Sequence, residues 1–225
     1  MSLRAKLDAL REDFDAGRRP YNAPAWIAET THRATRELIE SGLADRALKP
    51  GDMAPAFHLQ DSCGATYRSA DMLATGPIVV TFYRGTWCPF CNLDVQALED
   101  ARPQIETVGA SLLAISPQTA ANSRRSIRQN KLGFPILSDP GNEVAAEFGI
   151  RFTLPDYLIA LYRDTLNNDL AIVNGDASWT LPMPARFVIG QDRQITYSEV
   201  NPDYTRRPEP AEVIAVLQTV GEGVG

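Results

Sequence analysis

Apolar residues recur at three- and four-residue steps at the start of the chain, where Leu3, Leu7, Leu10 and Phe14 make one stripe before Gly17–Pro20 interrupts it. That spacing predicts a helix. A second is predicted from about Asn22 to Ile39, with Ile27, Ala34 and Leu38 facing inward and Gly42 near its end. Both are short and charged on their other faces, so they must pack on something larger. Two roles fit, a structural strap over the main domain or a contact in a homodimer, and the pattern alone does not choose between them.

From Lys49 onward strand-like and helical segments alternate. Phe57–Gln60 and Ala65–Arg68 flank the turn residues Asp61–Gly64 and predict a hairpin. The β-rich run from Ile78 to Tyr83 suits a central strand buried on both faces. A helix is predicted to open at the cysteines that follow, with Leu93, Ala97 and Leu98 on its inner side. Next come a strand over Ser111–Ser116, a polar amphipathic helix over Thr119–Lys131, a short strand at Pro135–Leu137 and a helix over Asn142–Phe148. Pro155–Leu166 reads as helix and Asn167–Pro184 as mostly loop with one short helix. Phe187–Gly190 and Ile195–Val200 form a hairpin turning at Gln191–Arg193, and Pro210–Val220 closes the chain as a helix. This order implies an α/β sandwich on a mixed sheet. The expected division is a helical extension over 1–47 and one α/β domain over 48–225.

Composition narrows the function. With 44% hydrophobic residues the chain has ample material for a core. Its net charge of -6 excludes nucleic acid as a partner, since no basic stripe is present to neutralise phosphates. The pairs Arg124–Arg125 and Arg206–Arg207 are short and polar-flanked, and are expected to be solvated surface or local anion contacts. The first residues, MSLRAKLDALREDF, lack the apolar stretch of a signal segment, and the run Pro77–Phe82 is too short to span a bilayer. Three cysteines make no disulfide framework in a chain of this size. A reducing, cytoplasmic setting without membrane attachment is expected.

The chemistry is concentrated in Phe82-Tyr83-Arg84-Gly85-Thr86-Trp87-Cys88-Pro89-Phe90-Cys91. A helix N-terminus offers free N–H groups and partial positive charge, which stabilise a thiolate and lower the thiol pKa. Pro89 suits the first helical turn, where its missing N–H is not needed. Two intervening residues place the sulfurs one turn apart, within reach of a reversible disulfide. A structural zinc site would need four ligands, and Cys63, His32 and His58 form no second paired half-site. No metal or cofactor is expected, Cys63 is expected to be a bystander in the hairpin turn, and the histidines receive no role.

Four segments in order resemble the alkyl hydroperoxide reductase/thiol-specific antioxidant group, in its peroxiredoxin-like branch with a thioredoxin-style C-x-x-C. Pro50–Asp61 is similar to the opening G-D-x-A-P-x-F-x-L-x-D, and Phe82–Cys91 to F-Y-R-G-x-W-C-P-x-C. Leu181–Ile189 is similar to L-P-x-P-A-T-F-V-I, and Asp203–Pro210 to D-Y-x-x-R-x-E-P. The resemblance implies a thioredoxin-like, peroxiredoxin-type three-layer sandwich. It also implies hydroperoxide reduction through a Cys88–Cys91 disulfide, reopened by an external thiol of thioredoxin, glutaredoxin or glutathione type. Reduction of protein disulfides and a redox-sensing module without turnover are the alternatives.

The sequence also departs from the group. Relatives carry threonine where Cys88 stands and their peroxide-attacking cysteine where Cys91 stands, and they place an arginine where Pro184 stands. Pro184 instead resembles the thioredoxin cis-proline, so a cis Met183–Pro184 bond touching the dithiol is expected. Arg186 stands where relatives carry threonine and need not belong to the site. The helix-terminus argument makes Cys88, nearer the helix start and expected to be the more exposed thiol, the nucleophile; the peroxiredoxin register would choose Cys91. Arg84 is the candidate supporting cation, Trp87 the cover over the disulfide, Thr86 a further supporting residue, and Tyr83 a residue pointing into the sheet.

Overall fold

In a computed structural model that describes residues 1–222, the two N-terminal helices are α1 (Leu3–Asp15) and α2 (Ala25–Glu40). The Ser2 hydroxyl caps α1 by accepting from the Ala5 N–H at 3.2 Å. The first hairpin is β1 (His58–Asp61) and β2 (Thr66–Arg68). Its turn is set by Asp61, whose Oδ1 accepts from the N–H groups of Cys63 and Ala65. The chain continues through α3 (Ser69–Leu73), β3 (Ile78–Phe82), α4 (Pro89–Thr107), β4 (Ser111–Ser116) and α5 (Ala120–Asn130). Then follow β5 (Ile136–Ser138), α6 (Glu143–Glu147), β6 (Arg151–Thr153) and α7 (Asp156–Ala160), which runs on as a π-helical turn over Leu161–Thr165. Last are α8 (Leu170–Asn174), β7 (Thr180–Pro182), β8 (Ala185–Ile189), β9 (Ile195–Val200) and α9 (Pro210–Glu222).

Seven strands form one mixed sheet in the order β2-β1-β5-β4-β3-β8-β9. The central strand β3 runs parallel to β4 and antiparallel to β8, with Phe82 opposite Ile115 on one side and Ala185 on the other. The residues leaving β3 therefore emerge beside the end of β4 and the start of β8. Alternation along β3 sends Val79 to one face, with α1, α4 and α9, and Ile78, Val80 and Phe82 to the other, with Phe148 and Phe187. This is the expected sandwich, with helices on both faces.

The stretch expected as mostly loop holds more structure than its sequence suggests. Within it Thr180–Pro182 pairs with Arg151–Thr153 as a separate two-stranded ribbon, whereas Pro155–Leu166 is helical as expected, as α7 with its π-helical continuation. The extension packs on the domain: Leu3 and Leu7 are buried with α4, and Ile27 is buried among Leu158, Leu161 and Tyr162. Burial of that kind stabilises by roughly 2 kcal/mol per large apolar side chain, enough to hold two short helices in place. Among the described residues no helix is long and apolar enough to cross a membrane.

Candidate active site

Beyond β3 the chain must turn sharply to begin α4. Gly85 makes the turn with φ +136°, and a Cβ there would sit 2.9 Å from the Trp87 Nε1. The Cys88 N–H donates to the Gly85 carbonyl, and the Cys88 carbonyl accepts from the Asn92 N–H, so Cys88 is the cap residue of α4. Thr86 secures the loop: its N–H donates to Gln118 Oε1 at 2.9 Å and its carbonyl accepts from Asn92 Nδ2. The Thr86 hydroxyl turns outward to Gln129, so this residue shapes the loop and does not face the sulfurs. Tyr83 points inward as expected, and its hydroxyl accepts from Gln118 Nε2 at 2.6 Å.

Each sulfur has its own arginine. Arg84 Nη2 donates to Cys88 Sγ at 3.3 Å, and Arg207 Nη2 donates to Cys91 Sγ at 3.2 Å. The Arg84 guanidinium lies 3.8 Å above the Tyr204 ring and 4.8 Å from the Trp87 ring, and its Nη1 donates to the Tyr162 hydroxyl. Trp87 meets Tyr162 edge-on at 5.3 Å. Arg207 is held by Asp94, whose Oδ2 is 3.3 Å from Nε, while Asp94 Oδ1 accepts from Arg186 Nη2 at 2.5 Å. Arg84 and Arg207 are 4% and 8% exposed, and Asp94 and Arg186 1% each.

Three expectations are corrected by this geometry. Cys88 is not the more exposed thiol, because both cysteines are 0% exposed. Arg84 and Arg207 lie against the two sulfurs, and Phe14, Tyr21 and Tyr204 stand across from the start of α4. Arg207 is not solvated surface: Asp203 Oδ1 accepts from the Thr205 N–H and hydroxyl, turning this segment inward and carrying Arg207 to Asp94. Arg206 does stay outside, paired with Asp8. The Met183–Pro184 bond is trans. The chain stays extended between β7 and β8, with the Met183 N–H donating to the Ile150 carbonyl and the Pro184 carbonyl accepting from the Asn201 N–H. Pro184 lines a small cavity with Arg84, Tyr162 and Tyr204, which ends the likeness to a thioredoxin proline. Cys63 is exposed in the hairpin turn, and His32 pairs with Asp15 at 3.0 Å.

Two thiols so close cannot both ionise, and their surroundings decide which does. Burial pushes the Cys88 thiol up, but the hydrogen bond from Cys91 and the charges of Arg84 and Arg207 outweigh it and hold Cys88 well below the usual thiol range. Burial and then the Cys88 thiolate push Cys91 well above it. The arrangement is one thiolate beside one thiol that keeps its proton. Arg84→Met is therefore expected to slow alkylation of Cys88 at neutral pH about ten- to a hundredfold and to shift the rate–pH inflection upward. Iodoacetamide kinetics across pH measure this, and an unshifted inflection would separate Arg84 from the thiolate.

Arg207 and Tyr204 stand inside the D-Y-x-x-R-x-E-P segment, so their signal was present in the sequence. Asp94 and Arg186 are polar residues at inward positions of α4 and β8, a weaker signal, and nothing in the sequence singles out Tyr162.

The AhpC/TSA family profile matches residues 50–198, about two-thirds of the chain and including both cysteines. The chain belongs to the AhpC/TSA family. It is similar to a putative peroxiredoxin of Mycobacterium tuberculosis, with 24% identity over 78% of this chain and all of the relative. It is also similar to the chloroplastic peroxiredoxin Q of Triticum aestivum, with 29% identity over 57% of this chain and 58% of the relative. The crystal structure of peroxidoxin BcpB from Mycobacterium tuberculosis shares the fold, with TM-score 0.60, 23% identity, and 77% of this chain and 98% of that one covered. Family membership makes the chain a thiol-dependent oxidoreductase that reduces peroxides.

Proposed function

We propose that Cys88 attacks the hydroperoxide and Cys91 closes the disulfide. What carries this is the place of Cys88 at the start of α4 with the Arg84 guanidinium on its sulfur, supported by the opposite directions of the two thiols, Cys88 drawn down and Cys91 pushed up. Cys88 Sγ attacks the terminal peroxide oxygen and forms an S–O bond to it as the O–O bond breaks; the displaced alkoxide takes up the proton Cys88 had released and leaves as alcohol. The electron pair of the broken bond goes with the alkoxide, and Cys88 becomes a sulfenic acid. Arg84 neutralises the thiolate before attack and faces the negative charge that develops during it. Cys91 then attacks the sulfenic sulfur, and its proton leaves with the hydroxide as water. In sum two thiols and a hydroperoxide give a disulfide, an alcohol and water.

An external thiol of thioredoxin, glutaredoxin or glutathione type restores the dithiol, and the cytoplasm is the setting that would supply it. Hydroperoxide is preferred over a protein disulfide as oxidant because both sulfurs are fully covered. Any oxidant needs the cover over the sulfurs to open, and a hydroperoxide needs far less opening than a disulfide held within a folded partner. In stopped-flow experiments the reduced protein should react with cumene hydroperoxide or hydrogen peroxide at least about tenfold faster than with a protein disulfide of similar concentration. Mass spectrometry should then show loss of two hydrogens and both thiols blocked to alkylation. Faster reaction with the disulfide would favour the oxidoreductase alternative.

A further inference from the structure

The extension does more than strap the domain. A cavity of about 410 Å³ lies between it and the start of α4. Leu10, Phe14 and Tyr21 form its wall on the extension side, and Phe90, Tyr162 and Tyr204 face them from the domain. Phe14 and Tyr21 fix each other edge-on with ring centroids 5.8 Å apart. Arg84 and Trp87 also line it, and their Nε and Nε1 are buried without hydrogen-bond partners. The same Arg84 holds Cys88 Sγ.

An apolar, aromatic chamber with the Arg84 guanidinium in its lining matches a molecule with an apolar body and one polar, electron-rich head. Its volume suits a small organic molecule and is far more than hydrogen peroxide fills. The wall residues from the extension lie outside the family match at 50–198. Tyr21 is also close enough to feel the Cys88 charge, which, after burial, raises its pKa.

We infer that Leu10, Phe14 and Tyr21 determine specificity, admitting bulky arylalkyl hydroperoxides and seating their apolar body while the peroxide group meets Arg84. This rests on the peroxidase reading above and deepens it. The apolar body supplies binding energy that hydrogen peroxide cannot, so selectivity appears in the ratio of the two rates.

The test compares second-order constants for cumene hydroperoxide and hydrogen peroxide in the full-length protein. Wild type should favour the cumyl substrate, and Tyr21→Ala should lower the ratio about tenfold. Phe14→Leu, which keeps the apolar stripe of α1, should lower it less. An unchanged ratio in folded Tyr21→Ala protein overturns the assignment. Binding of 2-phenyl-2-propanol to the reduced protein, followed by saturation-transfer NMR, reads the chamber without turnover. Binding that weakens in Tyr21→Ala supports the chamber even if neither peroxide is reduced, a result that would refute the peroxidase reading alone. Absence of binding to wild type overturns the chamber whatever the rates.

Discussion

Cys88→Ser is expected to abolish reduction of every hydroperoxide, whereas Cys91→Ser should react once and stop. Only a thiolate attacks, and the site allows one: Arg84 touches Cys88, and the same proximity that stabilises Cys88 keeps Cys91 protonated. Serine at 88 removes the attacking sulfur, and the loss should exceed about a thousandfold, as for other removed nucleophiles. With serine at 91 no thiol can condense with the sulfenic acid, which should persist on Cys88 and be trapped by dimedone. Mass spectrometry of both variants after one equivalent of peroxide decides the order. A dimedone adduct on Cys91 in Cys88→Ser protein, formed at near-native rate, would show that the attacking position is the one used by relatives with T-x-x-C.

The second large effect falls on stability. Asp94→Asn should destabilise the protein by about 3–5 kcal/mol, because Arg186 and Arg207 would both lose the buried carboxylate that pairs with them. For a chain of this length that corresponds to a fall in Tm of roughly ten degrees or more. Arg186→Met should destabilise less, since Asp94 then still has Arg207. Thermal denaturation of the two variants checks the order, and equal stability of Asp94→Asn and wild type would show that the pair contributes nothing. Closure of the disulfide should also slow in Asp94→Asn protein, because Asp94 helps to hold Arg207 against Cys91.

The sheet was legible because its strands are marked by local composition. Ile78–Phe82 is continuous and β-branched, and Ser111–Ser116 falls between a glycine and a turn, so periodicity and punctuation agree. The ribbon of β6 and β7 was not legible, since three-residue strands carry too few positions to show alternation. The dithiol and Arg84 could be read because they are consecutive in the chain and their chemistry depends on the helix start. Arg207 could not be placed by its neighbours, which are polar and suggest solvent. It is buried by Asp94, more than a hundred residues earlier, and only the fold brings the two together. Exposure of Cys88 was misread for a related reason: the Arg84 that lies on it is fixed by Tyr162 and Tyr204, far along the chain. The extension's stripe predicted that α1 and α2 pack, but an apolar stripe looks the same whether it closes a core or leaves a chamber beneath it.

Closing the disulfide erases the charge on Cys88 while Arg84, Arg186 and Arg207 keep theirs, so Asp94 alone then answers three buried cations. That imbalance raises the energy of the oxidised state relative to the dithiol, in which the thiolate shares the task. Electrons are thereby drawn back onto the sulfurs. The arginines that prepare Cys88 for attack also make the resulting couple an electron acceptor, and the same charges drive both halves of the cycle.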